Sequence, residues 1–130
     1  MGQQQLLLIV LGVIIVGIAV VVGISLFNSN AQEAAKDGIV SDATNLGAMA
    51  QQHYKKPASM GGGANAFDNS NGGVTWKIPT QLVTTANGSY TAAVAAQTVT
   101  ITGTPPASSG YGWTTTTTVT PTTITTVGSW

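Results

Sequence analysis

Cysteine is absent from this 130-residue chain, which excludes disulfide frameworks, thiolate nucleophiles and cysteine-bound zinc at once. Arginine is absent as well, and four lysines (Lys36, Lys55, Lys56, Lys77) face four acids (Glu33, Asp37, Asp42, Asp68). Charged residues make up 6% of the chain, against about 25% in an ordinary soluble domain. Four scattered lysines do not build the counterion-releasing face of a nucleic-acid binder, so no nucleic-acid contact is expected. Charge-driven disorder is excluded because 43% of the residues are apolar. A neutral soluble monomer with so few charges tends to precipitate, and the composition suits a chain whose normal state is association.

The residues of catalysis are also scarce. His53 is the single histidine, so no histidine pair for zinc exists, and a surface or packing role is the plainer reading. The acids are dispersed, with no spacing that marks a glycosidase pair or a calcium loop. No serine or threonine has a readable histidine base. Gly61-Gly62-Gly63 lacks the preceding strand and following lysine of a phosphate loop. No enzyme activity, cofactor or metal is expected. No aromatic residue precedes Phe27, so a continuous ring stack for electron transport along the N-terminal segment is not expected either.

What the chain does contain falls into three stretches. Within residues 1–30, residues 6–27 read LLLIVLGVIIVGIAVVVGISLF without a charge. Roughly 20 apolar residues span a bilayer as a helix. A secretory signal peptide has a basic flank and a shorter apolar core, whereas here Gln3-Gln4-Gln5 precede 22 uncharged residues. The remaining hundred residues are too few to enclose a helix that is apolar on every face. The run is therefore a helix covered by membrane or by other helices. Gly12, Gly17 and Gly23 interrupt it, and Ala19 with Gly23 forms a small-xxx-small pair. Val20 sits in the β-branched stretch 13–22, whose stiff side chains pack well between neighbouring helices.

Over residues 31–56, Ala35, Ile39, Ala43, Leu46, Ala50 and Tyr54 recur at helical spacing and form one apolar stripe. The two segments read as one helix over about residues 2–54, roughly 75–80 Å long, with Asn28-Ser29-Asn30 as a place for a bend. Lys55 and Lys56 suit its C-terminus and Pro57 stops it.

Residues 57–130 form a threonine-rich head. After glycine- and asparagine-rich loops, alternation predicts strands at 74–78, 81–85, 89–94, 98–102, 113–120 and 122–127, with Asn87-Gly88 turning a hairpin. Threonine has high β-propensity and solvates a strand without charge. The alternative for 98–126 is a mucin-like disordered tail, against which the alternation of Val99, Ile101, Val119, Ile124 and Val127 argues. The expected class is α+β, a long helix packed by an antiparallel sheet of four or five strands. Asn87-Gly88-Ser89 also matches a glycosylation sequon, with Asn87 as acceptor, and the exposed hydroxyls are candidates for O-linked sugar.

The segment from Met1 and Gly2 through Gln5 and Leu6 to Ile15, with the amphipathic continuation and β-rich head behind it, resembles a type IV pilin-like protein. Residues 42–46 and 51–57, followed by the triglycine loop, are similar to pilin-like proteins without disulfides. The resemblance implies a subunit that waits in the inner membrane and then assembles with copies of itself into an extracellular helical filament. It also implies a prepilin peptidase, N-methylation and an assembly ATPase as partners. Met1, Gln5, Gly12, Gly17, Val20 and Gly23 are then the assembly residues. Two features depart from the bacterial pattern. Gln5 replaces a glutamate that neutralises a neighbour's amine, and the C-terminal disulfide loop is missing. Archaeal pilins often lack both, so bacterial and archaeal assembly stay open, as does cleavage before Met1 or after Gly2. Adhesion, motility, DNA uptake and conduction are equally open. Two rivals stand beside the filament subunit: a single-pass membrane-anchored surface binding or adhesion module, and a minor pseudopilin of a secretion system.

Overall fold

The computed structural model describes residues 2–130. Its order is helix α1 (Gly2–Lys55), a short helix α2 (Thr80–Val83), then strands β1 (Ser89–Val94), β2 (Val99–Thr104), β3 (Thr115–Val119) and β4 (Ile124–Gly128). Single 3-10 turns lie at Ala58–Met60 and Ala107–Ser109. The chain divides between Ala34 and Ala35 into two compact units. The class is α+β, with a long N-terminal helix packed against a four-stranded antiparallel sheet. α1 continues without interruption through Asn28, Ser29 and Asn30.

The stripe read from the sequence is the buried face of α1. Ile39, Ala43, Leu46 and Ala50 are fully or almost fully buried, and Ala35 and Tyr54 pack at its ends. Gly47 is buried beside them, where an added Cβ would come within 3.1 Å of both Ile124 and Val119. The sheet runs β1-β2-β3-β4, so each strand pairs with its sequence neighbour. Its inner face forms three rungs: Tyr90–Gly103–Thr115–Gly128, Ala92–Ile101–Thr117–Thr126 and Val94–Val99–Val119–Ile124. Glycine in the first rung is a matter of space. A Cβ on Gly103 would lie 2.7 Å from Ile39 and 2.6 Å from Thr115, and one on Gly128 would meet the Trp130 ring. The outer face carries Thr91, Thr100, Thr102, Thr116, Thr118 and Thr125, so hydroxyls stand where a soluble sheet usually places charge. Val127 also lies outside, 64% exposed, because its odd spacing from Ile124 puts the two on opposite faces.

Two expected strands are not strands. Residues 74–78 form no strand, and Val74 and Trp76 donate their N–H groups to the Gly62 and Phe67 carbonyls in the preceding loop, not to a ladder. Residues 81–85 begin as helix, with Pro79 as the N-cap and the Leu82 N–H bonding the Pro79 carbonyl at 2.8 Å. Only Thr84 bridges to Ser89, so the turn closed by Thr85 and Gly88 joins one bridge to β1. The triglycine loop caps α1. Gly63 and Asn65 N–H groups reach the His53 and Tyr54 carbonyls at 2.8 Å, and Ala64 reaches Lys56 at 3.0 Å. A side chain on Gly62 would collide with the Lys56 backbone.

Five glycines interrupt α1 after Gly2 and they separate into two kinds. Gly38 and Gly47 sit under Asn87 and under Ile124 with Val119, whereas added Cβ atoms on Gly12, Gly17 and Gly23 meet nothing within 4 Å. We therefore expect Gly47→Val to destabilise the 35–130 unit by about 1–3 kcal/mol through overpacking. Gly12→Ala should cost nothing. Urea unfolding of the detergent-solubilised chain, followed by tryptophan fluorescence, measures both.

Candidate functional site

The sequence-derived assembly residues lie on α1, with Met1 outside the described residues. Gln5, Gly12, Gly17, Val20 and Gly23 are all exposed. Every Leu, Ile, Val and Phe side chain from Leu6 to Phe27 is more than half exposed, from Val22 at 51% to Phe27 at 72%. The most apolar window here has a mean hydropathy of 3.3 and none of it is buried. Length and composition therefore allow a membrane crossing. At about 25 cal/mol per Å2, apolar surface of this extent in water is a large free-energy cost.

Asn87 lies elsewhere, in the head. Its side chain rests over Gly38 and donates from Nδ2 to the Asp42 Oδ2 atom at 3.0 Å. The same oxygen accepts from the Tyr90 hydroxyl at 2.6 Å and the Thr85 hydroxyl at 2.9 Å. One carboxylate on α1 thus fastens the start of β1 and the turn after α2 to the helix. Burial opposes the charge on Asp42, but the bonds from Tyr90, Asn87 and Thr85 outweigh it and hold the carboxyl below its usual range. Burial, reinforced by the Asp42 carboxylate, pushes the Tyr90 phenol far above its ordinary value. Sequence reasoning missed this cluster. Its members come from positions 42, 85, 87 and 90, and only the packing of α1 against the head brings Asp42 to the other three.

His53 has a packing role, its ring nitrogen bonding the Val74 carbonyl. It also borders a concavity of about 310 Å3 lined by Met49, Gln52, Lys56, Trp76 and Lys77. At the other end of the unit the Lys36 ammonium lies 5.0 Å from the Trp130 ring centroid, and Trp130 meets Trp113 edge-on at 5.4 Å. Among the described residues, no group of three or more His, Asp or Glu side chains is placed to hold a metal.

Compared with known proteins, the chain matches no family model, no curated protein and no solved structure. The long apolar N-terminal helix followed by a small antiparallel sheet is compatible with a pilin-like shape.

Tyr90→Phe keeps the buried ring and deletes one bond to a charged acceptor, so it should cost about 1.5–3 kcal/mol in chemical denaturation. The pH dependence has a definite sign. A carboxyl lowered on folding stabilises above its unfolded value, near pH 4, and loses that contribution as pH falls through the folded value. The stability gap between the wild-type chain and Asp42→Asn should therefore be widest at neutral pH and narrow below pH 4, in urea midpoints measured from pH 7 to pH 2.

Proposed function

We propose that the chain is the structural subunit of an extracellular, type IV pilus-like filament. It is held in the inner membrane by α1 before assembly and polymerises with copies of itself through the same helix. The supporting observation is the set of three glycines at 12, 17 and 23, which nothing inside the chain requires. Each costs about 1 kcal/mol against alanine in a helix interior. Glycine is common in plain membrane anchors too, and close helix–helix approach is what gives these positions a use in a filament. Leaving lipid for helices gains nothing hydrophobic, so packing of these glycines and the β-branched stretch around Val20 must supply the preference. Gln5 hydrogen-bonds but does not neutralise a neighbour's amine, so this packing bears more of the assembly energy than in a subunit with a carboxylate there. A prepilin peptidase acting at or near Met1, N-methylation and an assembly machinery are the further partners of this reading.

Electron microscopy of sheared surface material tests it, and helical filaments composed of this chain are expected. Recovery solely as a detergent-extracted monomer would favour a membrane-anchored surface module, and a trace component in filaments of another protein would favour a pseudopilin. Val20→Asp and Gly17→Lys should each abolish filaments while leaving the urea midpoint of the head unchanged.

A further inference from the structure

The chain has eight charged side chains, and the head unit engages three of them internally. Asp42 holds Tyr90, Thr85 and Asn87, Asp68 accepts from the Ser70 N–H at 2.9 Å, and Lys36 covers Trp130. Four others, Asp37, Lys55, Lys56 and Lys77, make no side-chain hydrogen bond or ion pair with any described residue. Their positions are not scattered. Lys55 ends α1, Lys56 follows it and the loop before α2 brings in Lys77, so that Lys56 and Lys77 line one concavity with His53 and Trp76. No acid lines it. Asp37 is exposed near the opposite end of the unit's part of α1. The 18 residues from Asp37 to Lys55 span about 27 Å at 1.5 Å per residue, so Asp37 cannot reach the basic end of its own chain.

We infer that the basic concavity of Lys56 and Lys77 receives Asp37 of a second copy displaced by about 27 Å along the helix axis. This rests on the filament reading above and names the head-to-head contact within it. The argument is charge complementarity between two different patches on one chain. Such a contact is heterologous, and heterologous contacts that do not close into a ring propagate as open filaments. A polyanion fits less well. Two lysines lining one concavity give few phosphate contacts, there is no arginine for bidentate pairing, and the net charge is zero. A single exposed pair contributes little. Here one pair recurs at every subunit and selects axial register, which is what complementary charge does best at interfaces.

Charge exchange in the full-length chain tests the inference, with filament mass recovered from sheared surface material at 0.15 M NaCl as the readout. Lys56→Glu/Lys77→Glu should lower recovery at least fivefold, and Asp37→Lys alone should do the same. Combining all three substitutions should return recovery to within twofold of wild type. Co-expression of Lys56→Glu/Lys77→Glu subunits with Asp37→Lys subunits should yield mixed filaments that neither makes alone, which separates a lost contact from a misfolded head. Unchanged recovery in the charge-reversed variants, with wild-type filaments intact, overturns this contact and leaves the filament reading standing. A loss that neither the triple variant nor co-expression repairs overturns Asp37 as the partner. Retention of a duplex oligonucleotide by wild type but not by Lys56→Glu/Lys77→Glu, with filament recovery unaffected, assigns the concavity to a polyanion instead. Absence of wild-type filaments overturns both readings together.

Discussion

The burial of one stripe of α1 against the inner face of a four-stranded sheet is the contact on which the head depends. Ile39, Ala43, Leu46 and Ala50 supply the helix side, and Tyr90, Val99, Ile101 and Val119 supply the sheet side. The sheet is a plain meander of short strands, and a hairpin of this size is marginal without something to pack on. Helix and sheet therefore fold as one unit. The loop between them, residues 56–79, is organised from the helix end. It returns N–H groups to the last carbonyls of α1 and carries Phe67 and Trp76 into the same core.

Two kinds of surface follow from one helix. Where the sheet covers α1, each glycine has a neighbour that explains it. Where nothing in the chain covers α1, the glycines are unexplained and the apolar side chains stand exposed. The same sequence device thus serves internal packing in one half and, in the proposed filament, external packing in the other. Charge follows a similar division, with some groups holding the head together and others left at its two ends.

Much of this was legible in the sequence because it is periodic. The stripe from Ala35 to Tyr54 and the alternation in β2 and β3 are local patterns, read within a few residues, and Pro57 and Pro121 mark their ends. The strand expected at 74–78 failed for the converse reason. Its alternation is real, with Trp76 buried and Lys77 exposed, yet a strand needs a ladder partner and these N–H groups are taken by the loop. The short helix at 80–83 was hidden because a four-residue element has too little period to read. The Asp42 cluster and the gathering of Lys56 with Lys77 depend on helix packing and loop path, which no local pattern encodes. The aromatic core residues Phe67 and Trp76 were hidden in loops for the same reason.

The threonine face has a consequence for the environments this molecule can occupy. From Ile78 onward the chain holds no aspartate, glutamate, lysine, arginine or histidine, and its ionisable side chains there are Tyr90 and Tyr111. Neither tyrosine lies on the outer face of the sheet, so no side chain there changes charge across the acid and neutral range. Salt has equally little to screen on that face. A coat built from such sheets would present the same hydroxyl-and-methyl surface in acidic water and in brine, leaving its colloidal behaviour governed by hydration alone.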